Sequence, residues 1–156
     1  MATPVLTEDA LIEYIKPILK AQGFKKKGKR WTKVLDDFTL VFYIQGSCYS
    51  KEDYYIRPGV FMNHCPEQAF YYYGHFMTQI KITHPQTILE EALAFFSEWT
   101  DKSLIVSRAK VFVEWDKRNP LEKRRAGLVD EKKDPPPSRV FFGIRESEMN
   151  YILNQL

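Results

Sequence analysis

Glycine is scarce in this chain. Seven glycines in 156 residues leave little material for a phosphate-cradling loop, and none of them is spaced as a dinucleotide turn or a P-loop requires. Cysteine is scarcer still. Cys48 and Cys65 make neither a disulfide framework nor a metal-ligand spacing, so reduced thiols in a cytoplasmic protein are the expectation. No apolar run reaches the roughly 18 residues of a membrane-spanning helix. The N-terminus meets Glu8 and Asp9 too early for a basic-then-apolar leader. There is no GxSxG elbow, no HExxH and no CxxC. No cofactor and no metal are therefore expected, and the reading leans away from an enzyme.

What is present is aromatic. Phe, Tyr and Trp make up 15% of the residues, with hydrophobics at 44% and charged residues at 28%. That is a soluble globular composition, of a length that folds as one domain without a staple. Bulky rings favour strands. The net charge is only +3, short of a whole-domain nucleic-acid signature, but it is unevenly placed. Lys20, Lys25, Lys26, Lys27, Lys29, Arg30 and Lys33 fall in one window, 20–33, that holds no acid.

Residues 8–22 read as an amphipathic helix through Leu11, Ile12, Ile15, Ile18 and Leu19. Thr7 is its N-cap and Gly23 its left-handed stop, and Pro17 is expected to kink or divide it. Residues 29–34 and 38–45 form a hairpin turning at Leu35-Asp36-Asp37, and 54–61 a third strand. Pro58 there marks an edge-facing position or a bulge. Residues 69–82 read as a long strand bent at Gly74, with Phe70, Tyr72 and Phe76 on one face and Tyr71, Tyr73 and His75 on the other. Thr87-x-x-Glu90 looks like a capping box for a helix ending near Trp99. The stretch 101–118 fits both periods and is read as helix because it is long and lacks Gly and Pro. Asn119-Pro120 to Gly127 signals a short helix. A polar connector, 128–138, ends in three prolines, then a strand is expected over 140–144 and a terminal helix capped by Ser147.

The fold class expected is α+β, with an antiparallel sheet of about four strands flanked by helices. Residues 1–127 form the main domain, and 128–156 a helical extension packed on it. One segment also resembles a known family. Gly23-Phe24-Lys25-Lys26-Lys27-Gly28, Trp31, Gln45-x-Ser47 and Tyr54-Tyr55-Ile56-Arg57-Pro58-Gly59-Val60 are similar to the pattern of the DUF4304 family, an uncharacterised and mainly bacterial domain. The resemblance spans roughly residues 8–120. It implies the same α+β architecture and carries over no catalytic residue.

Four groups of residues are candidates for function. The basic turn, Lys25, Lys26, Lys27, Lys29 and Arg30, precedes Trp31. Such a cluster attracts phosphate, and an exposed Trp stacks a base; a solvated turn beside a helix C-terminus explains the lysines equally well. The Tyr71, Tyr73 and His75 side of the fourth strand suits a partner if no helix covers it. Gln45, Ser47 and Tyr49 at a strand end could face a small pocket. The acids Glu114, Asp116 and Glu67 serve acid–base chemistry only if one cleft gathers them. His64, His75 and His84 with the two cysteines lack the spacing of a metal site. The leading expectation is a non-catalytic binding module for another protein, in an antagonist- or immunity-like role. The alternative is nucleic-acid binding through residues 25–31. Oligomeric state stays open.

Overall fold

The computed structural model describes residues 5–47, 53–69 and 73–156. Helix α1 (Glu8–Ala21) starts at Thr7, whose hydroxyl accepts from the Ala10 amide at 3.1 Å. Pro17 lies inside it and does not divide it. Pro17 and Glu13, whose carbonyl the proline leaves without a helical donor, are both exposed.

After Gly23 the chain enters a five-stranded antiparallel sheet, β1 (Lys25–Lys27), β2 (Arg30–Val34), β3 (Phe38–Gly46), β4 (Tyr54–Met62) and β5 (Phe76–Met77), paired in chain order. β1 is a strand where sequence suggested only a turn. Its two-residue link to β2 opens with Gly28 at φ 63°, the positive φ that a short hairpin needs at that place.

Strand alternation gives the sheet two different faces. Trp31, Phe38, Leu40, Phe42, Ile44, Ile56, Val60 and Met62 point one way into the core cluster. Every helix that buries residues lends them to that same cluster. Leu11, Ile15 and Leu19 come from α1, Ile88, Ala92, Phe95 and Phe96 from α2 (Pro85–Glu98), Ile105, Ala109 and Phe112 from α3 (Lys102–Arg118), and Ile152 from α5 (Glu146–Gln155). Helix α4 (Leu121–Arg125) buries none. The core is ring-rich, with Phe141 meeting Trp99 at 5.3 Å, Phe112 at 5.4 Å and Phe76 at 6.2 Å between centroids.

Four expectations are corrected. The long strand over 69–82 is reduced to β5 and a single bridge, Ile56 to Ile80, with residues 70–72, including Tyr71, outside the described residues. In this register the position opposite Pro58 is Thr78, whose amide donates to the Pro58 carbonyl at 3.1 Å. Proline has no N–H to return, so the ladder is interrupted there and resumes only where the Ile80 amide donates to the Ile56 carbonyl at 2.9 Å. On the other side, Tyr73 and Gly74 turn across β4. A Cβ on Gly59 would collide with the Tyr73 carbonyl, and only glycine leaves room for that crossing.

The other three corrections are one change of element type and two helix starts. Residues 139–143 are a 3-10 helix (Arg139–Gly143) rather than a strand, because packing draws Phe141 into the ring cluster. Helix α2 begins at Pro85, after His84, ahead of Thr87. Proline is at home at N1, where its missing N–H costs nothing. Helix α5 is opened by Arg145, not Ser147, and the Glu148 carboxylate closes back on the Arg145 amide. The helix read over 101–118 is present. Residues 102–118 are helical, with Asp101 accepting from the Leu104 amide at 3.1 Å.

The connector is fastened by Asp134. Its carbonyl accepts from the Trp115 indole at 2.9 Å, and its carboxylate takes Arg118 at 3.1 and 3.2 Å and Asn119 at 2.7 Å. The Arg118 hydrogen bond, then that of Asn119, holds this carboxyl below the ordinary aspartate range. Lys102 does the same for Asp37 at 2.8 Å. A lowered folded-state value means stabilisation that is present above the unfolded value, near 4, and is lost as pH falls through the folded one. The melting temperature should therefore fall on acidification below about pH 4, and by less in Asp134→Asn, as thermal scans across pH will read. Gly59→Ala should cost about 3 kcal/mol or more by overpacking against backbone. Gly46→Ala, which meets nothing within 4 Å, should leave the urea midpoint nearly unchanged.

Candidate functional site

The second face of the sheet is built differently. Along β1 to β4 the alternate positions are Lys25 and Lys27, then Arg30, Thr32 and Val34, then Thr39, Val41, Tyr43 and Gln45, then Tyr55, Arg57, Gly59 and Phe61. Pairing sets Lys27, Arg30, Tyr43 and Arg57 in one row across four strands. Among the described residues none of the five strands contains Asp or Glu.

Cations and rings are in contact on this face. The Arg57 guanidinium sits 5.2 Å from the Tyr55 ring centre and 5.8 Å from that of Tyr73, and it donates to the Tyr73 hydroxyl at 3.2 Å. Arg30 lies 5.9 Å from the Phe61 ring centre. Tyr43 stacks on Tyr73 at 5.9 Å with planes 19° apart. Tyr43, Tyr55, Arg30, Arg57 and Phe61 are all partly exposed. Among the described residues, Tyr73 to His75 lie over this face at its β5 side, and Glu67, Gln68 and Ala69 border it beside Arg30 and Phe61.

A shallow cleft of about 540 Å³ opens beside Arg30, Thr39 and Phe61, bounded by Asn63, Cys65, Glu67 and His75. Its floor is organised by His75. The Met62 amide donates to His75 Nδ1 at 3.0 Å, so the ring proton is on Nε2, which faces the Glu67 carbonyl at 2.9 Å. The imidazole takes the ladder bond that the backbone surrenders when it turns away. Behind it lies Glu148, fully buried, with one carboxylate oxygen on Arg145 at 2.7 Å and the other 3.9 Å from His75 Nε2. Arg145 also meets Glu67 at 3.6 Å, so the acid at the cleft's rim is already countered. Burial pushes the Cys65 thiol up, with the Glu148 and Glu67 charges adding to it. That is the opposite of an activated nucleophile.

The structure redistributes the residues that sequence put together. Trp31 is not an exposed stacking platform. It is 1% exposed, edge-on to Phe42 in the core, because strand alternation puts it opposite Phe42. Lys26 shares that side, over the Trp31 ring at 5.5 Å, and Lys29 pairs with Glu8. Lys25, Lys27 and Arg30 remain on the second face. Tyr73 and His75 are 5% and 7% exposed, so their rings line the protein's interior rather than an open surface. Gln45 is on the second face opposite Tyr55. Ser47 lies at the end of β3, its amide donating to the Asp53 carbonyl at 3.1 Å. Tyr49 and Cys48 lie outside the described residues.

The acids do not converge. Glu114 pairs with Lys117 and Asp116 with Arg124, while Glu67 is at the cleft. His64 is beside Asp36 and Asp37, His84 opens α2, and His75 is at the sheet edge. Among the described residues no group of three His, Cys, Asp or Glu is placed to hold a metal ion, and no helix is long and apolar enough to cross a membrane. Sequence reasoning missed Tyr43, Tyr55, Arg57 and Phe61. The signal was available in the odd-numbered positions of 39–45 and 55–61, which carry no acid.

An open antiparallel sheet with helices on one side and a basic, ring-bearing second face is the class of protein these features define. The chain belongs to the family described as Domain of unknown function (DUF4304), whose model matches residues 15–124. No curated protein and no solved structure is significantly similar to it.

If Trp31 belongs to the core, Trp31→Ala should cost about 3–5 kcal/mol, read as a large drop in urea midpoint. A surface tryptophan would leave the midpoint in place.

Proposed function

We propose that the protein is a non-catalytic binding module and that it receives an anionic partner on the second face of its sheet. The observation that carries this reading is the row Lys27, Arg30, Tyr43 and Arg57, flanked by Lys25, on strands without a single carboxylate. A net charge of +3 gives little long-range attraction, but a local field of one sign steers a partner to one patch. The expectation of an interaction module is kept, and the contact moves from the Tyr73 and His75 rings to the neighbouring strands. Guanidiniums resting on rings are suited to the task. They stay planar and charged and present a fork to carboxylate or phosphate.

Retention on immobilised heparin in a salt gradient tests the reading. Lys25→Glu/Lys27→Glu should elute at clearly lower salt than Lys132→Glu/Lys133→Glu, which changes the net charge by the same amount in the exposed connector. Equal elution of the two variants would refute the assignment of the face.

A further inference from the structure

Resting on that reading, we infer that the partner is single-stranded RNA, held with its phosphates on the cations of the second face and its bases against Tyr55 and Phe61. The inference comes from how charge and rings alternate. Arg57 lies 5.2 Å from the Tyr55 ring centre and Arg30 lies 5.9 Å from that of Phe61, so each partly exposed ring has a cation beside it. A chain of phosphates and planar bases alternates in the same way, and base–aromatic stacking together with a basic groove is how such chains are held. An acidic peptide would satisfy the cations and leave the rings unused. A duplex keeps the faces of its bases inside its own stack and offers these rings nothing.

The dimensions agree. Strands of nine residues run about 30 Å and four strands span about 14 Å, room for a few nucleotides. The cleft beside Phe61, about 540 Å³ with Thr39 and Asn63 at its edge, has the volume for one base. Thr32 and Gln45, neutral and partly exposed on the same face, can both donate and accept, as a ribose 2′-hydroxyl requires. These hydroxyl and amide groups favour RNA over DNA.

Fluorescence anisotropy with a labelled 12-nucleotide oligouridylate tests the inference on the full chain. Affinity should fall with salt at a log–log slope of about −3, the release expected for four cations on a single strand. Tyr55→Ala should bind about tenfold more weakly and Tyr55→Phe should restore binding. Lys25→Glu/Lys27→Glu should weaken it further, while circular dichroism confirms that each variant is folded. Equal binding of oligodeoxythymidylate of the same length would overturn the choice of RNA. Equal binding of an RNA duplex or of polyglutamate, or no effect of Tyr55→Ala, would overturn the inference while leaving an anion-binding face in place. Loss of the heparin difference described above would remove that face as well.

Discussion

The structure depends on one crossing, where the backbone of Tyr73 and Gly74 passes over Gly59 in β4. A side chain at Gly59 would hold these segments apart. With them in contact, His75 reaches the Met62 amide and caps the end of the ladder, and Tyr73 is set flat against Tyr43. The same crossing leaves β5 only two residues to pair and delivers Phe76 to the ring cluster around Trp99 and Phe141. The fold's irregular half is arranged around this contact, and its regular half is a plain antiparallel meander.

Burial is divided unequally between the two faces of that meander. One face is continuous with the helices and is closed by large apolar residues, each fully buried aromatic or aliphatic side chain contributing about 1.5–3 kcal/mol. The other keeps its long side chains only partly covered, and these are arginines and tyrosines whose guanidiniums and rings lie against one another, with Arg57 donating to the Tyr73 hydroxyl.

Much of this was legible in the residues. The 3.6-residue stripe of α1, the alternation of β3 and the cap-and-stop signals around Thr7 and Gly23 are local properties, and they lead directly to the elements observed. The family pattern from Gly23 to Val60 was legible too, and the family model covers it. What was not legible was set by contacts distant in sequence. Residues 140–144 have strand composition, but Phe141 packs among Phe112, Trp99 and Phe76, and packing overrides propensity. Trp31 follows a run of cations, so proximity in sequence suggested a shared surface. Alternation instead sends it through the sheet to the opposite face. The shared side of Tyr55, Arg57 and Phe61 depends on the register with β3, which pairing distant in sequence sets and Pro58 alone does not signal.

The short strand β1 has a consequence for how copies of this protein meet one another. It is the outer strand of the sheet, and among the described residues one of its edges has no neighbouring strand, the condition under which sheets extend from molecule to molecule. Three residues long and made entirely of exposed lysines, it sets like charge against like charge whenever two such edges approach. Charge on the edge strand thus acts as a colloidal barrier, independent of any ligand, and neutralising these amines removes the repulsion that keeps one sheet from continuing into the next.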